Sequence, residues 1–183
     1  MNLWITTDTH FGHRKMEEYC GRPKGFEIRI YKHLVEVLTL ETVLLHLGDV
    51  CIGKDEAYHA QFIQSLPGKH WLLRGNHDKK TNNWYLNHGW DFVGEEILLR
   101  FNNKNILFSH YPIPKQSRVD YNIHGHIHTH LDRLLKGNYV VEGEKERNKD
   151  WLPTYDQTYH KLLAIEETNY KPVNLEQLLT QYK

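Results

Sequence analysis

The sequence predicts a mixed α/β (α+β) fold, with two facing mixed β-sheets flanked by helices. Three observations lead there. Through the first half, short apolar and β-branched runs alternate with amphipathic helical stretches, the pattern of parallel strands joined by crossovers. The second half is richer in closely spaced strands, which read as antiparallel. A length of 183 residues fits one domain, residues 1–183, large enough to bury a core without disulfides or structural zinc.

Leu3 to Thr7 is apolar and β-branched and ends in Asp8, so it reads as a buried strand. Phe26 to Leu40 carries Phe26, Ile30, Leu34, Val37 and Leu38 at helical spacing and is an amphipathic helix. Thr42 to Leu47 is a second buried strand, closed by Gly48-Asp49. Asp55 to Leu66 is helical, with Ala57, Ala60, Phe62 and Ile63 to pack and Pro67-Gly68 to stop it. His70 to Leu73 is a third strand, and Thr81 to Asn87 a short helix. Glu96 to Phe101 and Asn105 to Phe108 form a hairpin around the polar turn Asn102-Asn103-Lys104. Tyr121 to Ile123 leads into a histidine cluster. Later strands are expected at Tyr139 to Val141 and Lys161 to Ile165, with a last helix from about Leu175. Glu142 to Asp150 is charged with little apolar content and reads as a surface loop or moving lid.

Lys plus Arg and Asp plus Glu balance at 23 each, so no global basic field draws the chain to nucleic acid or an anionic membrane. Cys20 and Cys51 form no spaced framework and read as reduced thiols. The first residues run straight into Asp8 without a basic, then apolar, leader. No apolar run approaches the roughly 18 residues of a membrane helix. The expectation is a cytoplasmic protein with no membrane partner; oligomeric state is silent.

The 14 histidines are unevenly placed. Five segments gather His, Asp and Asn: Asp8-Thr9-His10, Gly48-Asp49, Gly75-Asn76-His77-Asp78, Ser109-His110 and His124-Gly125-His126-Ile127-His128. Imidazole nitrogen and carboxylate oxygen are the donors that borderline divalent metals prefer. Asp8, His10, Asp49, Asn76, His110, His126 and His128 are more ligands than one ion needs, so the set reads as a two-metal site. Asp8 and His10 are two apart, which in a strand turns both side chains to one side; His126 and His128 repeat the spacing. Gly48 lets the backbone turn tightly beside an ion. A carboxylate bridges two cations and imidazole does not, so Asp49 is the candidate bridge. Alone, each motif is weak: Asn76 is an ordinary turn residue, and single Asp-x-His pairs occur by chance. Their order, each at the end of an apolar run, carries the specificity.

That ordered set resembles the signature of the calcineurin-like metallophosphoesterase superfamily and spans residues 8 to 128, about two-thirds of the chain. The length is similar to small single-domain bacterial, archaeal and phage-type members, and Thr7 to His13 looks most like a small branch in bacteria and their phages. The resemblance implies a four-layer sandwich of two sheets and flanking helices. It also implies a division of ligands: Asp8, His10 and His128 on one ion, Asn76, His110 and His126 on the other, and Asp49 on both. Mn, Fe, Zn, Co or Ni suit such mixed donors, with Mn favoured. The activity so implied is in-line hydrolysis of a phosphate ester, since two ions roughly 3.5–4 Å apart can share a hydroxide as nucleophile.

His77 is the expected catalytic acid for the leaving oxygen, with Asp78 holding its tautomer. His13 and Arg14, just after the first motif at a helix start, are candidates to contact the substrate phosphate, although a solvated Arg is the commoner case. His124 reads as closing its loop, and His46 as a satisfied, partly buried strand residue. His33, His59, His88, His130 and His160 show no special spacing. The expected activity is hydrolysis of small phosphate esters, diesters favoured over monoesters. A nuclease or a nucleotide pyrophosphohydrolase would use the same site. Trp71, Trp84, Tyr85 and Trp90 could stack bases, but packing explains them as well, and the balanced charge weighs against long nucleic acids. A scaffold that lost catalysis is disfavoured by the retained Asp49, Asn76 and His77.

Overall fold

The computed structural model describes residues 2–135 and 155–180. In chain order the elements are β1 (Asn2–Thr6), α1 (Met16–Tyr19), α2 (Phe26–Val37), β2 (Thr42–His46), α3 (Asp55–Phe62), β3 (Lys69–Leu73), α4 (Asn82–Leu86), β4 (Phe92–Gly94), β5 (Glu96–Phe101), β6 (Lys104–Ser109), β7 (Tyr121–His124), a 3-10 turn (His128–His130), α5 (Leu131–Leu135), β8 (His160–Leu162), β9 (Val173–Asn174) and α6 (Leu175–Thr180). They build two mixed sheets with helices. One is five-stranded in the order β4-β3-β2-β1-β9, the other four-stranded in the order β5-β6-β7-β8. The expected strand Tyr139 to Val141 and the charged stretch Glu142 to Asp150 lie outside the described residues.

The alternation of strand side chains distributes the apolar residues between two cores. Every residue of β2 is buried. Val43 and Leu45 join Leu3, Ile5, Leu73, Ile106, Phe108 and Ile123 between the sheets, with Leu175 and Leu178 of α6. Leu44 and Leu72 face the other way, onto Phe26, Ile30 and Leu34 of α2, Phe62 of α3 and Tyr85 of α4. Each such Leu, Ile or Phe contributes about 1.5–3 kcal/mol of burial. On the second sheet Leu162 packs instead with Ile127, Leu131 and Tyr155, where α5 begins. Trp90 and Tyr85 are buried in the core, which supports packing over stacking platforms.

Several expected boundaries shift. The helix from Phe26 stops at Val37, before Leu40, because Leu38 turns extended to bury its side chain. Thr42 then clasps Thr39, accepting from its N–H and donating to its carbonyl at 2.9 and 2.7 Å. The helix from Asp55 stops at Phe62 instead of Leu66. The strand placed at Lys161 to Ile165 is His160–Leu162. The second half is less antiparallel than expected: β5 and β6 pair antiparallel across Asn102 and Asn103, both left-handed as a two-residue hairpin requires. However, β6–β7 and β7–β8 are parallel. The connections after His110 and after His124 are long enough to carry the chain back across the sheet. Both strands therefore end at the same edge.

His46 is fully buried rather than partly so. Gly48 N–H donates to its Nδ1 at 3.1 Å, which puts the ring proton on Nε2, and Nε2 pairs with Thr9 Oγ1 at 3.0 Å. The Thr9 hydroxyl donates onward to Val50 O at 2.8 Å. Burial pushes the imidazole from 6.5 down to about 3, against the pull of Asp8. The unfolded ring takes a proton near 6.5 and the folded ring does not, so this residue's contribution to stability falls as pH drops below 6.5. The stability gap between wild type and His46→Gln should therefore narrow by about 2 kcal/mol from pH 7.5 to pH 5. Urea unfolding of both proteins at each pH measures it, and a gap independent of pH would contradict the neutral, locked ring.

Candidate metal centre

The site forms where β1, β2, β3, β6 and β7 all run out at one edge. The loops after β1 and β2 remain zipped beyond their strands: Asp8 N–H donates to Gly48 O at 2.9 Å and His10 N–H to Asp49 O at 3.0 Å. Asp8 and His10 are not in a strand, since β1 ends at Thr6. Their convergence comes from left-handed backbone, with φ of 49° and 48°. Asp49, His126 and His128 share that region at 59°, 70° and 52°. Non-glycine residues adopt it rarely, and such strain gathers at functional sites. The expected strand alternation is thus replaced by a set of kinks that turn each side chain inward.

A reciprocal clasp fixes the centre. Asp78 accepts from Gly75 N at 2.8 Å, Asp49 N at 2.7 Å and Val50 N at 3.1 Å, and Asp49 Oδ1 accepts from His77 N at 2.8 Å. Both Asp78 oxygens serve backbone N–H groups, so this carboxylate braces two loops. The clasp needs close approach. A Cβ on Gly48 would stand 2.5 Å from Gly75 N, and one on Gly75 would collide with the Asp49 carboxylate.

Two groups of donors face each other across Asp49. Asp8 Oδ1 lies 3.9 Å from both His10 Nε2 and His128 Nε2. Asp49 Oδ2 lies 3.7 Å from His10 Nε2 and 3.5 Å from His110 Nε2. His110 Nε2 is 3.0 Å from Asn76 Oδ1 and 3.1 Å from His126 Nδ1. The donor atoms of Asp8, His10 and His128, and those of Asp49, His110 and His126, each lie within 4.8 Å of one another. His110 Nδ1 pairs with Leu47 O at 2.8 Å, which leaves Nε2 facing the cluster.

The electrostatics ask for positive charge. Burial lifts the Asp49 carboxyl well above the usual carboxylate range, and the charges of Asp78 and Asp8 push the same way. Burial opposes ionisation of Asp8 too, but His128, His110, the Thr7 hydroxyl and the His126 N–H hold it down at about 2. His128 is raised well above the ordinary imidazole value: burial works against this and is outweighed by Asp8, with hydrogen bonds to Cys20 and Glu166 adding to it. His10 is driven well below that value by burial and by the charges of His128 and Arg22. Asp8 Oδ1 and His10 Nδ1 are buried without a hydrogen-bond partner. Separations of 3.5–3.9 Å are too long for hydrogen bonds. They fall within the span of two metal–ligand bonds of about 2.0–2.2 Å. The residues fit a divalent cation.

His77 lies at the rim with its side chain 39% exposed and Nε2 3.9 Å from Asp49 Oδ2. His13 joins it there, its ring 5.4 Å from His10 and 6.1 Å from His77. Arg14 is exposed. Arg22 is an arginine buried against the site, which sequence reading missed together with Glu166. Residues 144 apart give no local signal of pairing. His124 closes its loop as expected: its ring reaches Gly125 O and Tyr155 OH, both at 2.9 Å, and burial lowers it to about 3.

A family model for calcineurin-like phosphoesterases matches residues 1–172. The chain belongs to that family and is a metal-dependent phosphoester hydrolase. Among individual proteins it is similar to the uncharacterized protein MJ1445 of Methanocaldococcus jannaschii, 26% identical over 95% of this chain and 87% of the relative. It also matches the Gene 66 protein of Mycobacterium phage D29, 24% identical over 75% of this chain and 83% of that one. A solved structure, the protein of unknown function AQ665 from Aquifex aeolicus, superposes with a TM-score of 0.71 at 27% identity over 98% of each chain. Among the described residues, no helix is long and apolar enough to cross a membrane.

The clasp makes a steric prediction. Gly75→Ala should destabilise the protein by about 1–3 kcal/mol, the usual cost of an inserted methyl in a packed site, because its Cβ meets Asp49. A urea midpoint unchanged from wild type would show that the two loops can part without loss.

Proposed function

We propose that the protein hydrolyses small phosphodiesters with two divalent ions, manganese for preference. One ion would be held by Asp8, His10 and His128, the other by Asn76, His110 and His126, and Asp49 would serve both. The observation that carries this reading is the position of Asp49 Oδ2, 3.7 Å from His10 Nε2 and 3.5 Å from His110 Nε2. One carboxylate oxygen thus belongs to both donor groups. When bound, such ions supply Lewis-acid charge to the phosphoryl oxygens and acidify water for attack.

The chain's own residues do the rest. The tautomer of His110 is set by Leu47 O, so its Nε2 lone pair is directed without reorganisation. Asp78 keeps the Asp49 and Asn76 loops in register. His77 comes within reach of His10 and Asp49 as well, but it is the exposed member of that set, so its Nε2 is the group to meet a substrate and protonate the leaving oxygen. His13, beside it, is the second contact for the ester. Balanced overall charge and the absence of a global basic field favour a small diester over a long polyanion.

His77→Asn should lower turnover of an alkyl phosphodiester by roughly 10²-fold while two ions stay bound. The loss should shrink for a bis-nitrophenyl diester, whose leaving group needs no proton. Steady-state kinetics on both substrates, with metal content measured in parallel, decide it. An equal loss on both would place His77 on the phosphoryl oxygens instead of the leaving group.

A further inference from the structure

Arg22 is an arginine with a fully buried side chain, and its contacts are all on one side of the site. Nη2 donates to Asp8 O at 2.7 Å and Nη1 to Thr9 O at 3.0 Å, so the guanidinium holds the left-handed loop that carries Asp8 and His10. The same group grips Glu166: Nε and Nη2 both donate to Oε1, at 2.9 and 2.7 Å. Glu166 Oε1 in turn lies 3.1 Å from His128 Nδ1. A carboxylate there accepts a hydrogen bond from Nδ1–H and so leaves Nε2 to face the site, 3.9 Å from Asp8 Oδ1. One arginine therefore holds Asp8 and Thr9, in the loop that carries His10, and reaches His128 through Glu166. The other donor group has a separate support, since His110 rests on Leu47 O.

We propose that Glu166, locked by Arg22, is a positioning residue dedicated to the ion on the Asp8–His10–His128 side, an inference that rests on the two-ion reading above. The pair does not touch substrate. It sets the tautomer and aim of His128 and the shape of the Asp8 loop, so its loss weakens one ion and leaves the other. A merely structural ion pair would instead lower stability without choosing between ions.

Titration of the metal-free full chain with Mn²⁺, read by the electron paramagnetic resonance of free Mn²⁺, tests this. Wild type, Glu166→Ala and Glu166→Gln are compared, with thermal midpoints recorded at saturating Mn²⁺. Glu166→Ala should keep one ion at wild-type affinity and bind the other about 10- to 100-fold more weakly, the usual scale for loss of an outer carboxylate. Glu166→Gln, which retains an oxygen for Nδ1–H, should recover part of that loss. Unchanged affinity for both ions, or equal weakening of both, would overturn the proposal. If Glu166→Ala does not fold, Glu166→Gln decides alone, and no selective weakening there counts against it. Wild-type stoichiometry reads the two-ion assignment itself, while the difference between wild type and variants reads the role of Glu166.

Discussion

Three carboxylates, Asp8, Asp49 and Asp78, are buried together at one sheet edge, and the rest of the structure answers to them. Buried negative charge is expensive unless it is hydrogen-bonded or paired with a cation. Asp78 is satisfied by three backbone N–H groups, and in accepting them it ties the end of β2 to the end of β3. Asp8 and Asp49 are satisfied only in part. Asp8 Oδ1 has no hydrogen-bond partner, and Asp49 is pushed toward its protonated form by burial and by its acidic neighbours. The imidazoles around them stand too far off for hydrogen bonds, and against the effect of burial the charge of Asp8 lifts His128 well above the ordinary imidazole value. A divalent cation removes the same deficit more completely than a proton does.

That requirement explains features of the fold that hydrophobic packing alone would not select. The strands that feed the centre must end together, which is why β6 and β7 run parallel despite the long connection between them. The loops must then bend inward within two residues, and left-handed backbone at Asp8, His10, Asp49, His126 and His128 does this. Such conformations are uphill for each residue, so they persist only where the surroundings over-determine them. The continued pairing of the β1 and β2 loops, the Asp78 clasp, the His46–Thr9–Val50 chain and the Arg22–Glu166 pair are those surroundings.

Much of this was legible in the sequence. The strands read at Thr42 to Leu47 and His70 to Leu73, the helix from Phe26 and the hairpin around Asn102-Asn103-Lys104 follow from period and turn chemistry, and the structure shifts only their ends. The donor residues were legible because each follows an apolar run, and sheets of this kind present such positions at one edge. What escaped depends on contacts between distant segments. Parallel pairing of β6 with β7 has no local signature. Nor does the burial of Arg22, which looks like any charged residue beside Gly21 and Pro23 until Glu166 is brought against it. Nor does the hold of Asp78 on the backbone of Gly75, Asp49 and Val50, which adjacency to His77 does not announce. Where sequence neighbours and spatial neighbours diverge, only the fold decides.

The central claim is that the Asp49 carboxylate is shared by two cations. Anomalous diffraction from crystals grown with Mn²⁺, collected near the manganese edge, tests it most directly. The account predicts two peaks roughly 3.5–4 Å apart, one beside Asp8, His10 and His128, the other beside Asn76, His110 and His126, with Asp49 Oδ2 bonded to both. A single peak at full occupancy, or two peaks with Asp49 on only one of them, would contradict it.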